Sequence, residues 1–211
     1  MTLAEDIAAA AEAIGRARTI VAIDGPDAAG KSTLADAVAA AATGPVLRAS
    51  VDDFANPSRV RRRQGELSAE GYYSDAFDLT ALAQELLDPF SSGGSRVRTQ
   101  VFDLDADRPL SATPVVLPPR ALLVVDGVFL LRPRLRDWWT LSVYLHIAPE
   151  VSLERGLARD GEDRRSRYLE RYLPAQELYR TMADPVAKAH VVVDNTDVHA
   201  PLVQRWAPPI R

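Results

Sequence analysis

Short apolar runs rich in β-branched residues recur along the chain and predict strands at residues 19–24, 46–51, 121–126, 141–147 and 190–193. Residues 98–104 form a weaker candidate. Segments rich in helix formers predict helices at 31–42, 79–88, 149–159 and 165–182, with a further helical stretch inside 59–74 and a surface helix at 3–17. This alternation predicts an α/β fold of three layers, a mostly parallel central sheet flanked by helices. Pro109, Pro114, Pro118 and Pro119 mark an irregular stretch ahead of the third main strand. With no internal repeat and no Ser/Gly-rich linker long enough to separate two domains, residues 1–211 read as one domain.

A hydrophobic share of 47% in 211 residues suffices for one substantial core. The net charge of −4 argues against a surface devoted to nucleic acid and favours small-molecule chemistry. The chain has no cysteine, which closes disulfide, thiolate-metal and cysteine-nucleophile chemistry. The acidic opening Met1-Thr2-Leu3-Ala4-Glu5-Asp6 is unlike a secretory signal, and the longest apolar run is broken by Asp126 and Gly127. The expectation is a cytosolic protein with no membrane partner, and a homo-oligomer is compatible with it. His146, His190 and His199 are scattered without metal-ligand spacing and read as structural.

Twenty-five residues are basic, yet only Lys31 and Lys188 are lysines. Lys31 lies in Gly25-Pro26-Asp27-Ala28-Ala29-Gly30-Lys31-Ser32, the pattern G-x-x-x-x-G-K-[ST]. A loop folded tightly on phosphates has room for a compact ammonium on a flexible stem and not for a planar guanidinium. The predicted strand before it and helix after it complete the strand, loop and helix that such a site requires. Backbone along Gly25, Asp27, Ala28, Ala29, Gly30, Lys31, Ser32 and Thr33 would then cradle phosphates. Lys31 would reach the outer ones, and the Ser32 hydroxyl would ligate Mg²⁺. The expected ligands are ATP and Mg²⁺.

Ligands of open α/β sheets gather beyond the carboxyl ends of the strands, which draws notice to two acidic strand ends. Ser50-Val51-Asp52-Asp53-Phe54 follows the second strand, and a carboxylate there can accept the proton of an attacking hydroxyl. Asp52 and Asp53 both remain candidates, pointing to different sides. Ala121-Leu122-Leu123-Val124-Val125-Asp126-Gly127 has the form of a Walker B strand, whose acid holds Mg²⁺ directly or through water. Between residues 155 and 171, Arg155, Arg159, Arg164, Arg165, Arg167 and Arg171 are interleaved with acids. Arg164, Arg167 and Arg171 would share one helical face of a lid closing over ATP. A second basic run, Arg59-Val60-Arg61-Arg62-Arg63, reads as solvated or as a wall meeting an anionic acceptor. Asp194-Asn195-Thr196-Asp197 lacks the lysine of a guanine-reading N-K-x-D, which speaks against a nucleotide switch.

The phosphate loop, the Ser50 to Phe54 segment, Asp75-Ala76-Phe77-Asp78, Val101-Phe102-Asp103, the strand ending in Asp126-Gly127 and the arginine lid occur in one order. That order resembles the uridine kinase and phosphoribulokinase group of P-loop kinases over most of residues 18–195. The resemblance implies transfer of phosphate from MgATP to a primary hydroxyl of a small metabolite. By position Asp52 looks like the base, Asp126 stands where the group more often has glutamate, and Arg159 with Arg164, Arg165 or Arg167 looks like the phosphate-contacting lid. Tyr72, Phe102 and Asp103 fall at acceptor-contacting positions. Tyr72 replaces an aspartate that holds ribose hydroxyls in uridine-cytidine kinases, Phe102 replaces a tyrosine, and the position of the base-reading histidine falls near Asp107. A nucleoside is the leading acceptor. Pantothenate, nicotinamide riboside and sugars are the alternatives within the group, and a P-loop ATPase is the alternative outside it.

Overall fold

The computed structural model describes residues 2–209. Six strands build the main sheet: β1 Arg18–Asp24, β2 Val46–Ser50, β3 Ala121–Gly127, β4 Leu141–His146, β5 Val191–Asp194 and β6 Leu202–Trp206. Their order is β6-β5-β4-β1-β3-β2, parallel throughout except for β6, which runs antiparallel to β5. β1 and β3 at the centre are covered on both faces, and for this reason they read as nearly unbroken apolar runs. Successive side chains still divide between two cores: Ile20 and Ala22 point into one, Val21 and Ile23 into the other.

Helices α1 Leu3–Ala13 and α2 Lys31–Ala41 cover the second core. α1 is opened by a capping box between Thr2 and Glu5. It stops at Ala13 and does not reach residue 17, because Gly15 turns the chain with φ +74°. The first core lies under the helical turns Leu79–Leu82, Ala83–Leu87 and Asp88–Ser91, and helix α5 Leu173–Ala183 adds Ala175, Tyr179 and Ala183 to it. The expected stretch at 59–74 resolves into Ser58–Arg61 and α3 Ala69–Asp75, while α4 Pro149–Asp160 leads into the lid.

Two expectations change. The candidate strand at 98–104 shrinks to Phe102–Asp103, which folds back on Arg108–Pro109 as a small ribbon apart from the main sheet. β6 was not foreseen, because as an exposed edge strand it buries neither face and carries no strong apolar pattern. No helix among the described residues is long and apolar enough to cross a membrane.

Strand register sets the level of the loops. Asp24 of β1 pairs with Gly127 of β3, and Ser50 of β2 pairs with Asp126. The carboxyl ends of β1, β2 and β3 are therefore level, and all three release their loops at one rim.

Candidate active site

β1 ends at Asp24, and the chain passes through residues 25–30 into α2. A Cβ on Gly25 would lie 2.6 Å from the Leu145 carbonyl oxygen, so only glycine lets the loop run so close to β4. Ala28 (φ +59°) and Gly30 (φ +87°) take left-handed conformations, the backbone alternation that turns successive N–H groups toward one concavity. No side chain caps the first turn of α2, which leaves its positive end open to that concavity. Lys31 Nζ donates to the Pro26 carbonyl at 2.7 Å and so lies across the loop. Ser152 Oγ donates to the Asp27 carbonyl at 2.7 Å and Asn195 Nδ2 to the Ala29 carbonyl at 2.8 Å, bracing the loop from outside.

At the adjacent strand end Asp126 is only 2% exposed. Ser32 Oγ donates to its Oδ2 at 2.6 Å, and Arg48 Nη2 pairs with its Oδ1 at 2.9 Å. Among the described residues no group of three His, Asp or Glu side chains forms a metal cage. A hydroxyl beside one carboxylate does suit Mg²⁺, which takes few protein ligands and completes its shell with phosphate oxygens and water. Asp24, fully buried, accepts from the backbone N–H of Gly25 and Leu131 and from the Tyr179 hydroxyl. Burial raises its pKa against the pull of these bonds, and the residue ties β1, the turn after β3 and α5 together.

Asp52 and Asp53 sit on the short 3₁₀ turn Val51–Phe54 that follows β2. Asp53 is occupied locally: its carboxylate accepts from the Ser50 N–H and its carbonyl from the Val101 N–H. Asp52 instead lines a cavity, with solvent reaching it through the mouth. Desolvation by the cavity walls pushes its carboxyl up to about 6, Asp27, Asp126 and Asp53 act in the same direction, and Lys31 opposes them. The turn is held against β3 at Gly127, where a Cβ would lie 2.2 Å from Val51 Cγ1. The two acidic strand ends are thereby packed in direct contact.

The cavity measures about 260 Å³ and is lined by Asp27, Asp52, Tyr72, Phe77, Leu104 and Tyr172 together with Arg61, Arg62, Arg159, Arg167 and Arg171. Its lid begins where Gly161 (φ +98°) ends α4. Short turns at Glu162–Arg164 and Arg165–Arg167 follow, then a π-helical turn Tyr168–Tyr172 that runs into α5. Pro174 has no N–H to offer the Glu170 carbonyl, so the helix widens and Leu173 N–H reaches Tyr168 instead. Arg159 is gripped by Asp160 through two bonds of 2.7 and 3.0 Å, which hold its pKa above the ordinary arginine value. The Tyr168 hydroxyl donates to the same Asp160 at 2.8 Å, and its ring fills the space over Gly156. Arg167 Nη2 pairs with Glu66 Oε1 at 2.7 Å, tying the lid to the segment that carries Arg61 and Arg62.

A model of the phosphoribulokinase/uridine kinase family matches residues 20–204. The chain belongs to this family. It is accordingly an ATP-dependent kinase acting on a hydroxyl of a small molecule. Solved structures of similar fold include a possible uridine kinase from Bacillus stearothermophilus, with 23% identity, a TM-score of 0.68 and coverage of 83% of this chain and 88% of that one. A candidate fructose transport system kinase from Silicibacter sp. TM1040 gives 21% identity, a TM-score of 0.71 and coverage of 87% and 96%. D-glycerate 3-kinase from Cryptococcus neoformans var. grubii gives 12%, 0.57, and 96% and 99%. No curated protein matches the chain. At these identities the likeness establishes the fold, and the acceptor must be argued from the cavity.

The kinase fold brings Asp27, Asp52, Tyr72, Arg159 and Arg167 to that cavity, and joins Ser32 to Asp126 beside the phosphate loop. Thr33 is exposed in the first turn of α2. Arg164 stays outside: it is exposed and pairs with Asp163 at 3.5 Å, because the 3₁₀ and π turns break the regular helical phase that would align it with Arg167 and Arg171. Phe102 is buried and Asp103 accepts from the Ala106 N–H at 2.9 Å, so neither lines the cavity, whereas Leu104 beside them does. Sequence reasoning missed Asp24, although it ends an apolar run just as Asp126 does. It also missed Arg48, whose signal is a lone arginine within a strand. Gln176, which donates to Asp27 at 3.2 Å, offers no such signal.

Proposed function

We propose that the chain transfers the terminal phosphoryl group of MgATP to a hydroxyl of an acceptor seated in the 260 Å³ cavity. The observation that carries this reading is Asp52, a carboxylate at the junction of phosphate loop and cavity whose pKa of about 6 suits a base near neutral pH. Asp52 takes the acceptor hydroxyl's proton as that oxygen bonds to phosphorus, the bond to the bridging oxygen breaks, and ADP departs. Lys31 and the loop N–H groups face the phosphates, while Arg159 and Arg167 neutralise charge on the group in flight. Ser32 and Asp126 would hold Mg²⁺, which when bound supplies charge neutralisation on the phosphate oxygens.

Within this class the cavity favours the acceptors other than nucleosides. Tyr72 occupies the position expected to hold ribose hydroxyls, yet its own hydroxyl donates to Asp27 at 3.1 Å. Burial and the neighbouring acids keep that phenol protonated, and with its proton on Asp27 it offers ribose hydroxyls one neutral acceptor oxygen where an aspartate offers two charged ones. The test is ADP release by purified protein with Mg²⁺, with and without a panel of nucleosides, sugars and hydroxy acids. Acceptor-dependent ADP release is expected. ADP release indifferent to every acceptor would move the chain to an acceptor-free ATPase.

A further inference from the structure

Resting on that kinase reading, we infer that the acceptor carries an oxyanion, a carboxylate or a phosphate, seated on Arg61, Arg62 and Arg171. Arg171 is only 7% exposed and lines the cavity, yet its bonds go to backbone carbonyls: Nη1 to Glu66 at 2.7 Å and Nη2 to Arg61 at 3.2 Å. Among the described residues it meets no carboxylate. A buried guanidinium cannot shed its charge, and neutral carbonyls and a phenol ring offset its desolvation less than a facing anion would. Desolvation lowers its proton affinity, Arg167 and Arg61 push the same way, and the Tyr172 and Tyr72 phenols act in the opposite direction.

The neighbouring carboxylates do not balance this wall. Glu66 is taken by Arg167 at 2.7 Å and stands 3.9 Å from Arg62, while Asp107 is taken by Arg61 at 2.8 Å. Four guanidinium groups thus meet two carboxylates. Tyr72 orients the cavity: its hydroxyl bonds Asp27 at the phosphate loop, and its ring lies 5.2 Å beneath the Arg171 guanidinium. Asp52 and Arg171 line the same cavity, with Tyr72 between the phosphate loop and the arginines. A small hydroxylated anion held in this cavity presents its hydroxyl to Asp52 and its charge to the arginines. The basic run 59–63, read from sequence as solvated or as a wall for an anionic acceptor, supplies two of the three seats.

Matched acceptors that differ only in charge test this: glycerol against glycerate and glycerol 3-phosphate, ribose against ribose 5-phosphate, and pantothenol against pantothenate. We expect the charged member of at least one set to exceed its neutral partner in kcat/KM by about 100-fold, and the glycerate and glycerol 3-phosphate arms separate carboxylate from phosphate. Arg171→Gln should raise KM for that acceptor by about 10- to 100-fold with KM for ATP unchanged, and Arg62→Gln, which removes the solvent-exposed member of the wall, should raise it by less. Neutral members used as well as or better than charged ones would overturn the inference and leave the kinase reading standing. A rise in KM for ATP on Arg171→Gln would also overturn it, by assigning that arginine to the nucleotide. ADP release indifferent to all acceptors would overturn both readings.

Discussion

Replacing Asp52 by asparagine should make the protein more stable and nearly inactive. Its carboxyl titrates at 3.8 in an unfolded chain and at about 6 in the folded one, so the folded state holds the proton more tightly. The protonated group contributes fully below pH 3.8. That contribution is lost as pH rises toward 6, above which the ionised carboxylate costs the folded state its full amount. For a group sealed from water, that rise in pKa corresponds to about 3 kcal/mol. Asp52 is open to solvent at the cavity mouth, and screening reduces the figure to about 1 kcal/mol. Asparagine keeps the size and removes the charge, so Asp52→Asn should gain about 1 kcal/mol at pH 7.5, or about 2–4 °C in Tm. The gain should fall toward zero near pH 4.

Thermal unfolding of both proteins from pH 4 to 8, beside initial rates of ADP release, tests the two halves together. Loss of the base should lower kcat by about 10²- to 10⁴-fold, while ATP binding is spared. In the wild type, kcat/KM for the acceptor should fall on the acid side with an apparent pKa of about 6. An Asp52→Asn protein no more stable than wild type at pH 7.5 would mean that the carboxylate is not desolvated. Near-wild-type turnover would show that Asp52 is not the base.

Lys31→Ala should lower kcat by about 10²- to 10³-fold by stripping a positive charge from the phosphoryl group in flight, read by steady-state kinetics at saturating ATP. Arg48→Met should cost about 3 kcal/mol in urea unfolding, because the buried Asp126 would lose its ion-pair partner, and MgADP should restore part of the loss. Gly156→Ala places a methyl 2.1 Å from Tyr168 Cζ. It should cost about 1–3 kcal/mol, and kcat should fall as well, since Tyr168 and Asp160 together hold Arg159.

The parts of the site legible in the sequence are those whose chemistry is local along the chain. Gly25 to Ser32 announces itself because one continuous loop must make the phosphate cradle, and Asp126 because it ends an apolar strand. The central strands are legible for a related reason: burial on both faces leaves an unbroken apolar run, whereas β6, exposed at the edge, leaves none. Asp52 and Asp53 mark the limit of this reading. Both end the same strand, and what separates them is a capping bond of Asp53 to Ser50 and the packing of Val51 on Gly127.

The acceptor end of the cavity is illegible in the sequence for a different reason. Arg167 and Glu66 lie 101 positions apart, and Arg171 reaches the Arg61 carbonyl across 110. In a chain that alternates acids and arginines around residue 160, every arginine has an acid within a helical turn, so each one reads as locally neutralised. Two departures from regular helix undo that reading. The 3₁₀ turn leaves Arg164 with Asp163 on the outside, and the π turn permitted by Pro174 carries Arg171 inward, away from any carboxylate. Helix phase thus decides which arginines are solvated and which are left seeking an anion. Pro174→Ala, by restoring a donor for the Glu170 carbonyl, should weaken the preference for a charged acceptor more than it alters KM for ATP. Comparing KM for glycerate with that for glycerol, and likewise for the other matched pairs, in this variant checks that link, and an unchanged preference would show that the widened turn does not set the position of Arg171.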